Sequence, residues 1–596
     1  MSEQRLTFGK LFWPSFLAVF IAGLVGMVFF FLVLGGVIGS FADFGPEPLA
    51  LESRTVLHLK LEGEILDVSD EKFNPTSFQV DRTNGLPELL MGIEQAMHDS
   101  NIKGLFLEVK NPSVGMASAQ EIRDALLRFR KSGKFVVAYL SGELVSQGSY
   151  YIASAATEVL GFAASPFQLT GLHSESLFFK TLLDELHIGV TIVRGKDNDF
   201  KSAVEPFFRT EMSDSSRKQT QVLLSSLWRN YCTAIADTRK IDTSSLQSWT
   251  NQFSIRKVAD AAKYGLVDQL MYRHEVLAHL KKKVGLDAHT PLRLHDFSRY
   301  ARDHFYDDQL LARQRAHIAV ILAEGDVATE GEGLSTTRIC KLLQQVRDDA
   351  DVKAVVFRIN SPGGSALASE EIWKEVSLTA QKKKLIVSMG DVAASGGYYI
   401  ATPAAKIFAQ PMSITGSIGV FGMIPYTGEF LRSKLGITTD EVMTNAHGAV
   451  SLNHALSPTE FAAIQTEVDA IYTQFKMRVS NGRHLSPSHV QTIARGRVWT
   501  GADAKKIGLI DEWGGLYAAL QYAQKSAKCS SVVYYPKKER RAFDELLNML
   551  DDEFENESKV KAIEIPKELL YYYQQLSRLN QWQGLQMRMP MSYRIF

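Results

Sequence analysis

Two stretches of this chain repeat one another, and the repeat limits the fold more than any other feature of the sequence. HLKLEGEI at 58–65 matches VILAEGDV at 320–327, and IKGLFLEVKNP at 102–112 matches VKAVVFRINSP at 352–362. Further on, GSYYIASAATEV at 148–159 pairs with GGYYIATPAAKI at 396–407, and VADAAKYGLVDQL at 258–270 pairs with GADAKKIGLIDEW at 501–513. Self-similarity on this scale means one structural unit built twice. It also makes each copy a control for the other, because a residue kept in one and lost from its counterpart points to a task outside the fold.

Within each copy, runs rich in Val, Leu and Phe stop at a proline, the pattern of a buried strand. An amphipathic stretch follows, AQEIRDALLRFRKSG or SEEIWKEVSLTAQKK, and then a second apolar run, KFVVAYLSG or KKLIVSMGD. Strand, helix and strand in succession predict an α/β fold on parallel or mixed sheets in each half. A chain of 596 residues exceeds what one core holds, so the expected organisation is a first domain over 43–310, a second over 311–530 and a C-terminal helical extension over 531–596. The charged stretch from Arg293 to Arg315 is the expected joint, and the extension reads as a packing or oligomer arm.

Ahead of the repeats, Leu11 to Ala42 carries no charge and exceeds the roughly 20 apolar residues that span a bilayer. A cleaved signal peptide has a shorter apolar region. Residues 11–42 are therefore expected to be a retained transmembrane anchor. Arg5 and Lys10 precede it and Asp43, Glu47 and Glu52 follow it, which places residues 1–10 in the cytoplasm and the rest of the chain outside. Elsewhere composition excludes more than it suggests. Lys+Arg and Asp+Glu balance at 66 each, so no net field draws the protein to nucleic acid. Cys232, Cys340 and Cys529 are scattered, which argues against both a disulfide framework and a metal site.

Chemistry emerges where the copies differ. The second reads NSPGGSALAS over 360–369, with Gly363 and Gly364 behind a proline at a strand end, freeing backbone N–H groups for an incoming ligand. Ser113 and Val114 stand at those places in the first copy. The second copy then has AASGGYYIA, with Ser395 ahead of two glycines at the start of a helix, where N–H donors are free. Gln147 is its counterpart in the first copy. Ser395 could serve as a nucleophile or as a helix N-cap. Tyr398 and Tyr399, repeated as Tyr150 and Tyr151, read as core aromatics.

A serine nucleophile needs a base, and no histidine lies nearer to Ser395 along the chain than His317 or His447. A lysine can serve if an apolar setting lowers its pKa. Lys201, in DNDFKSAVEPFF, has Phe200, Ala203, Val204, Phe207 and Phe208 around it, provided that Asp199 and Glu205 point elsewhere. Aligned on the Thr-Gly pairs at 170–171 and 415–416, Lys201 falls opposite a stretch of the second copy that holds no lysine. One copy keeps an amine and the other a hydroxyl.

NSPGGS, AASGGYY, TGSIGVFG, FKSAVEPF and GRVWTGADAKKIGLID together resemble the signal peptide peptidase A, or long-form protease IV, family, and the resemblance covers nearly the whole chain. It implies a tandem of two domains of the Clp protease/crotonase class and a Ser/Lys dyad in which Ser395 is the nucleophile and Lys201 the base. It further implies that Gly364 and Gly396 supply oxyanion-hole N–H groups, that Ser417 orients the lysine amine, and that the molecule is a homotetramer. The implied substrates are peptides, in particular signal peptides left in the membrane after export. The implied location is the bacterial inner membrane with the catalytic domains on its extracytoplasmic side. No cofactor, metal or nucleic acid is implied. Two other functions fit parts of the pattern: a crotonase-like acyl-CoA enzyme, whose paired N–H groups would face a thioester, and a catalytically inactive scaffold.

Overall fold

The apolar runs of the first copy form strands β1 (Thr55–Leu61), β2 (Ile102–Val109), β3 (Phe135–Leu140) and β4 (Glu158–Gly161). They are followed by β5 (Gly189–Arg194), β6 (Gln269–Leu270) and β7 (Leu294–Asp296). All but β5 build one parallel sheet in the order β6-β4-β3-β2-β1-β7. Its central strands are buried along almost their whole length, as sheets covered on both faces require.

The second copy repeats the plan. Its strands are β8 (His317–Glu324), β9 (Val352–Ser361), β10 (Gly363–Ser365), β11 (Lys384–Ala394) and β12 (Lys406–Ala409). After them come β13 (Ile414–Gly416), β14 (Phe421–Tyr426), β15 (Val498–Thr500), β16 (Glu512–Trp513), β17 (Val532–Tyr535) and β18 (Leu585–Arg588). The path β16-β12-β11-β9-β8-β17 is parallel throughout and matches the first sheet strand for strand. The far end of β11 also carries β13, which pairs antiparallel with β15. The tandem α/β repeat read from the sequence is thus present as two sheets of one topology.

The computed structural model describes residues 23–24, 26–27, 51–68, 71–74, 79–82, 85–287, 289–331, 333–447, 452–536 and 585–589. Of the expected anchor only Gly23, Leu24, Gly26 and Met27 are described, and they are helical and exposed; the remainder of 11–42 lies outside the described residues, as does most of 531–596. Among the described residues no helix is long and apolar enough to cross a membrane. Residues Arg54–Phe596 form one compact unit separate from Met1–Ser53.

Two segments carry structure that the sequence reading did not specify or misjudged. The charged joint is an ordered connection: β7 closes the first sheet, and the helix Phe297–Ala312 buries Phe297, Tyr300 and Ala301. Charge density masked an apolar stripe at helical spacing. The two described pieces of the C-terminal extension are strands, not helix: β17 pairs with β8 at the edge of the second sheet, and β18 inserts between β10 and β14. Val532, Val533, Tyr534 and Tyr535 are β-favouring residues with a full sheet edge to join, which outweighs the helical character of the polar stretch behind them.

A buried charge cluster locks the copies together. Arg358 of β9 is fully buried; its Nε donates to Asp67 Oδ2 at 2.8 Å and its Nη2 to Asp67 Oδ1 at 3.1 Å. Its Nη1 forms a 2.7 Å ion pair with Glu121 Oε1. Glu121 Oε2 accepts from the Leu516 N–H at 2.6 Å, and Asp391 Oδ1 accepts from the Ser118 N–H at 2.9 Å. Both acidic partners of Arg358 come from the first copy, so the copies share an interior rather than touching at a wet surface.

Candidate active site

Ser395 lies between β11 and the helix Gly396–Ala401, and its backbone is unusual. With φ 54° and ψ −115° it occupies a region that costs a non-glycine residue on the order of 1–3 kcal/mol. The turn is held by the Ser395 N–H donating to Gly416 O at 2.8 Å and by the Tyr399 N–H donating to Ser395 O at 2.8 Å. Although Ser395 is the residue before the helix, its side chain caps no backbone N–H, so the N-cap alternative does not hold. The hydroxyl points instead to Lys201.

Lys201 Nζ is 2.8 Å from Ser395 Oγ, 3.0 Å from Ser417 O and 3.0 Å from Ser417 Oγ. Both Lys201 and Ser395 are fully buried. Ala203, Val204 and Phe207 of the lysine's own segment form a buried apolar cluster with Phe421 of β14. Burial of the amine holds its pKa well below the usual lysine range. The neighbouring carboxylates are engaged elsewhere: Asp199 pairs with Arg495, and Glu205 accepts from the Ser213 N–H at 3.1 Å and Ser213 Oγ at 2.5 Å. A neutral amine has two N–H donors and one lone pair. With Ser417 O and Oγ in place to accept those two donors, such an amine can turn its lone pair toward the Ser395 hydroxyl.

The lysine is positioned by the second copy. The Phe200 N–H donates to Arg495 O at 3.0 Å, and a Cβ on Gly496 would lie 2.6 Å from Lys201 Cβ, so only glycine lets the two segments meet. Asn198 Nδ2 donates to Val420 O at 3.0 Å, and Gln219 joins Phe200 O to the Val498 N–H. Sequence reasoning singled out none of Asn198, Gln219 or Gly496 for this task. Gly496 stands inside a stretch that carried the resemblance and Asn198 two residues ahead of another, but their partners are hundreds of residues away, and Gln219 gave no signal.

The glycines converge on the same place. Gly363, at φ 97°, needs a backbone few other residues adopt, and a Cβ there would lie 2.8 Å from Gly396 N. The Val327 N–H donates to Gly363 O and the Ser365 N–H to Val327 O, which turns the Gly364 peptide toward the opposite side, facing β18. Among the described residues no group of His, Cys, Asp and Glu is arranged to hold a metal. Buried Tyr398 and Tyr399 are committed to structural bonds, Tyr398 to Leu509 O and Tyr399 to Glu370.

The model of Peptidase family S49 matches residues 128–287 and 377–530, one segment in each copy and more than half of the chain together. The chain belongs to peptidase family S49. Protease 4 of Salmonella typhi is 35% identical over 85% of this chain and 83% of its own length. Protease 4 of Haemophilus influenzae is 34% identical over 85% of each, and the chloroplastic serine protease SPPA of Arabidopsis thaliana is 30% identical over 79% of this chain and 69% of its own. This S49 peptidase is therefore a serine protease acting on peptides, of the protease IV type. Its Lys201 and Ser395 side chains, 2.8 Å apart, are contributed by different copies of the repeat.

Proposed function

We propose that this S49 peptidase is a membrane-anchored endopeptidase that uses a Ser395/Lys201 dyad to degrade signal peptides remaining after export. The observation that carries the reading is the 2.8 Å contact between a buried amine, whose hydrogen-bond partners are all uncharged, and the hydroxyl of a strained serine. Neutral Lys201 takes the Ser395 proton as Oγ attacks the peptide carbonyl, and returns it to the leaving amine. Water then resolves the acyl-enzyme by the reverse relay. Gly364 and Gly396 direct backbone N–H groups to the oxyanion, and Ser417 fixes the rotamer of the lysine. Each copy belongs to the Clp protease/crotonase class, spanning 43–310 and 311–530.

Residues 11–42 anchor the chain in the bacterial inner membrane, with 1–10 cytoplasmic and the catalytic copies on the periplasmic side. A homotetramer would gather four such sites close to the bilayer, where residual signal peptides lie. The uncharged length of 11–42 supports the anchor, and the engaged state of Asp199 and Glu205 supports a neutral lysine. The acyl-CoA reading is disfavoured because a serine in a strained turn, aimed at an amine, has no part in thioester enolate chemistry.

A serine-directed fluorophosphonate probe on the full-length protein tests the dyad. Labelling is expected to disappear in Ser395→Ala and to fall sharply in Lys201→Ala; labelling that persists in Ser395→Ala refutes the assignment. CoA binding without labelling would favour the acyl-CoA enzyme.

A further inference from the structure

The strand β18 lies where a substrate would have to lie. The four-stranded sheet runs β10-β18-β14-β5, every pair antiparallel. One wall of this slot is the glycine strand of the second copy, and the other is β14, itself paired to β5 of the first. Without β18 the slot would be one strand wide, with unpaired backbone groups along both walls, which is the geometry that takes up an extended peptide by strand addition.

The register is that of a bound peptide. Gly363 pairs with Arg588, Gly364 with Met587 and Ser365 with Gln586. The Met589 N–H donates to Pro362 O at 2.7 Å. Hydrogen-bonded pairs recur at every second residue of an antiparallel ladder, so Gly364 and Met587 form such a pair and the Gly364 N–H is directed at the Met587 carbonyl oxygen. That oxygen is ringed by glycines: a Cβ on Gly363 would lie 2.1 Å from it and a Cβ on Gly396 3.2 Å from it. The Met587 side chain is 1% exposed and belongs to the core of the second copy. Arg588 Nη2 donates to Asp326 Oδ1 at 2.9 Å and Oδ2 at 2.7 Å, fixing the segment along its length.

We infer that residues 585–589 are a tethered occupant of the substrate groove, and that the chain restrains its own peptidase activity until this segment leaves. The inference rests on Ser395 being the nucleophile. It explains how a nucleophile can be fully buried in a protease: the groove is filled by the chain itself, in the backbone pairing a peptide would adopt, with the Met587 carbonyl beside the glycines proposed as oxyanion donors.

The test uses full-length protein, with intact mass verifying that residues 585–596 remain attached. Met587→Pro removes the backbone N–H that pairs with Gly364, and Arg588→Glu sets like charges at Asp326 while leaving the core residue untouched. Both variants are expected to react with a fluorophosphonate probe, and to hydrolyse a quenched apolar peptide, on the order of tenfold faster than the wild type, since a tether supplies an effective concentration near millimolar. A synthetic peptide GLQMRMP, the sequence from 584 to 590, is expected to slow the variants again. Equal rates in the wild type and both variants would overturn the inference. Labelling that survives Ser395→Ala in the Met587→Pro background would overturn the reading of Ser395, and the tail assignment with it.

Discussion

At corresponding positions of the two copies, one chain solves the same turn in opposite ways. In the first copy the helix Gln147–Ala153 starts behind Ser146, whose backbone is extended at φ −73° and whose side chain accepts from the Ser149 N–H. Gln147, aligned with Ser395, instead donates its Nε2–H to Gly171 O at 2.9 Å. In the second copy the helix starts behind Ser395 at φ 54°, uncapped and facing Lys201. The ladder beneath is shared: Ile65 N–H donates to Ser113 O as Val327 N–H does to Gly363 O. The fold accepts a relaxed, capped turn here, so the architecture does not require the strain seen in the second copy.

The comparison can be broken most decisively at the aligned positions 147 and 395. Ser395→Ala is expected to lower peptide hydrolysis by a factor on the order of 10⁴ or more, whereas Gln147→Ala should leave it within about threefold of wild type. Comparable losses in both would mean that the copies are not divided in this way. Lys201→Met, which keeps the apolar packing, is expected to cost about 10²–10⁴-fold in kcat with the protein still folded by circular dichroism.

Smaller effects sharpen the account. Arg358→Met strands Asp67 and Glu121 in the shared interior and is expected to destabilise by about 3–5 kcal/mol in urea unfolding. Ser395→Gly should stabilise by about 1 kcal/mol, because glycine adopts φ 54° freely; a loss of stability would show that the turn is not strained. Buried Glu121 is pushed up to about 7 by desolvation, and Glu324 likewise to about 7. A carboxyl whose folded pKa exceeds its unfolded value holds more protons in the native state. Stability should therefore decline as pH rises from about 4.5 to about 7 and level off above, with the Glu324 contribution removed in Glu324→Gln.

The repeat and the succession of strand, helix and strand were legible because they depend on local patterns compared between copies, and the same comparison together with the family resemblance singled out Lys201 and Ser395. Strands announce themselves by apolar runs, and a missing hydroxyl or amine shows when its counterpart is present. Long-range placement was not legible. Nothing around Gly496 tells that Lys201 packs against it, nor does Asp67 reveal Arg358 as its partner, since each contact joins elements distant in the chain. The segment around Met587 was hidden for a different reason: LQMRM alternates like an edge strand but sits behind a long polar stretch, and only the slot between β10 and β14 gives it a place.

The most direct test of a hydroxyl and an amine pooled from two copies is the rate of fluorophosphonate acylation of Ser395 as a function of pH, in wild type and Lys201→Met. Burial lowers the lysine pKa, so the wild-type rate should climb with pH and reach a plateau well below the ordinary lysine range, while the variant stays slow and loses that step. Superimposable profiles for the two proteins would contradict the account.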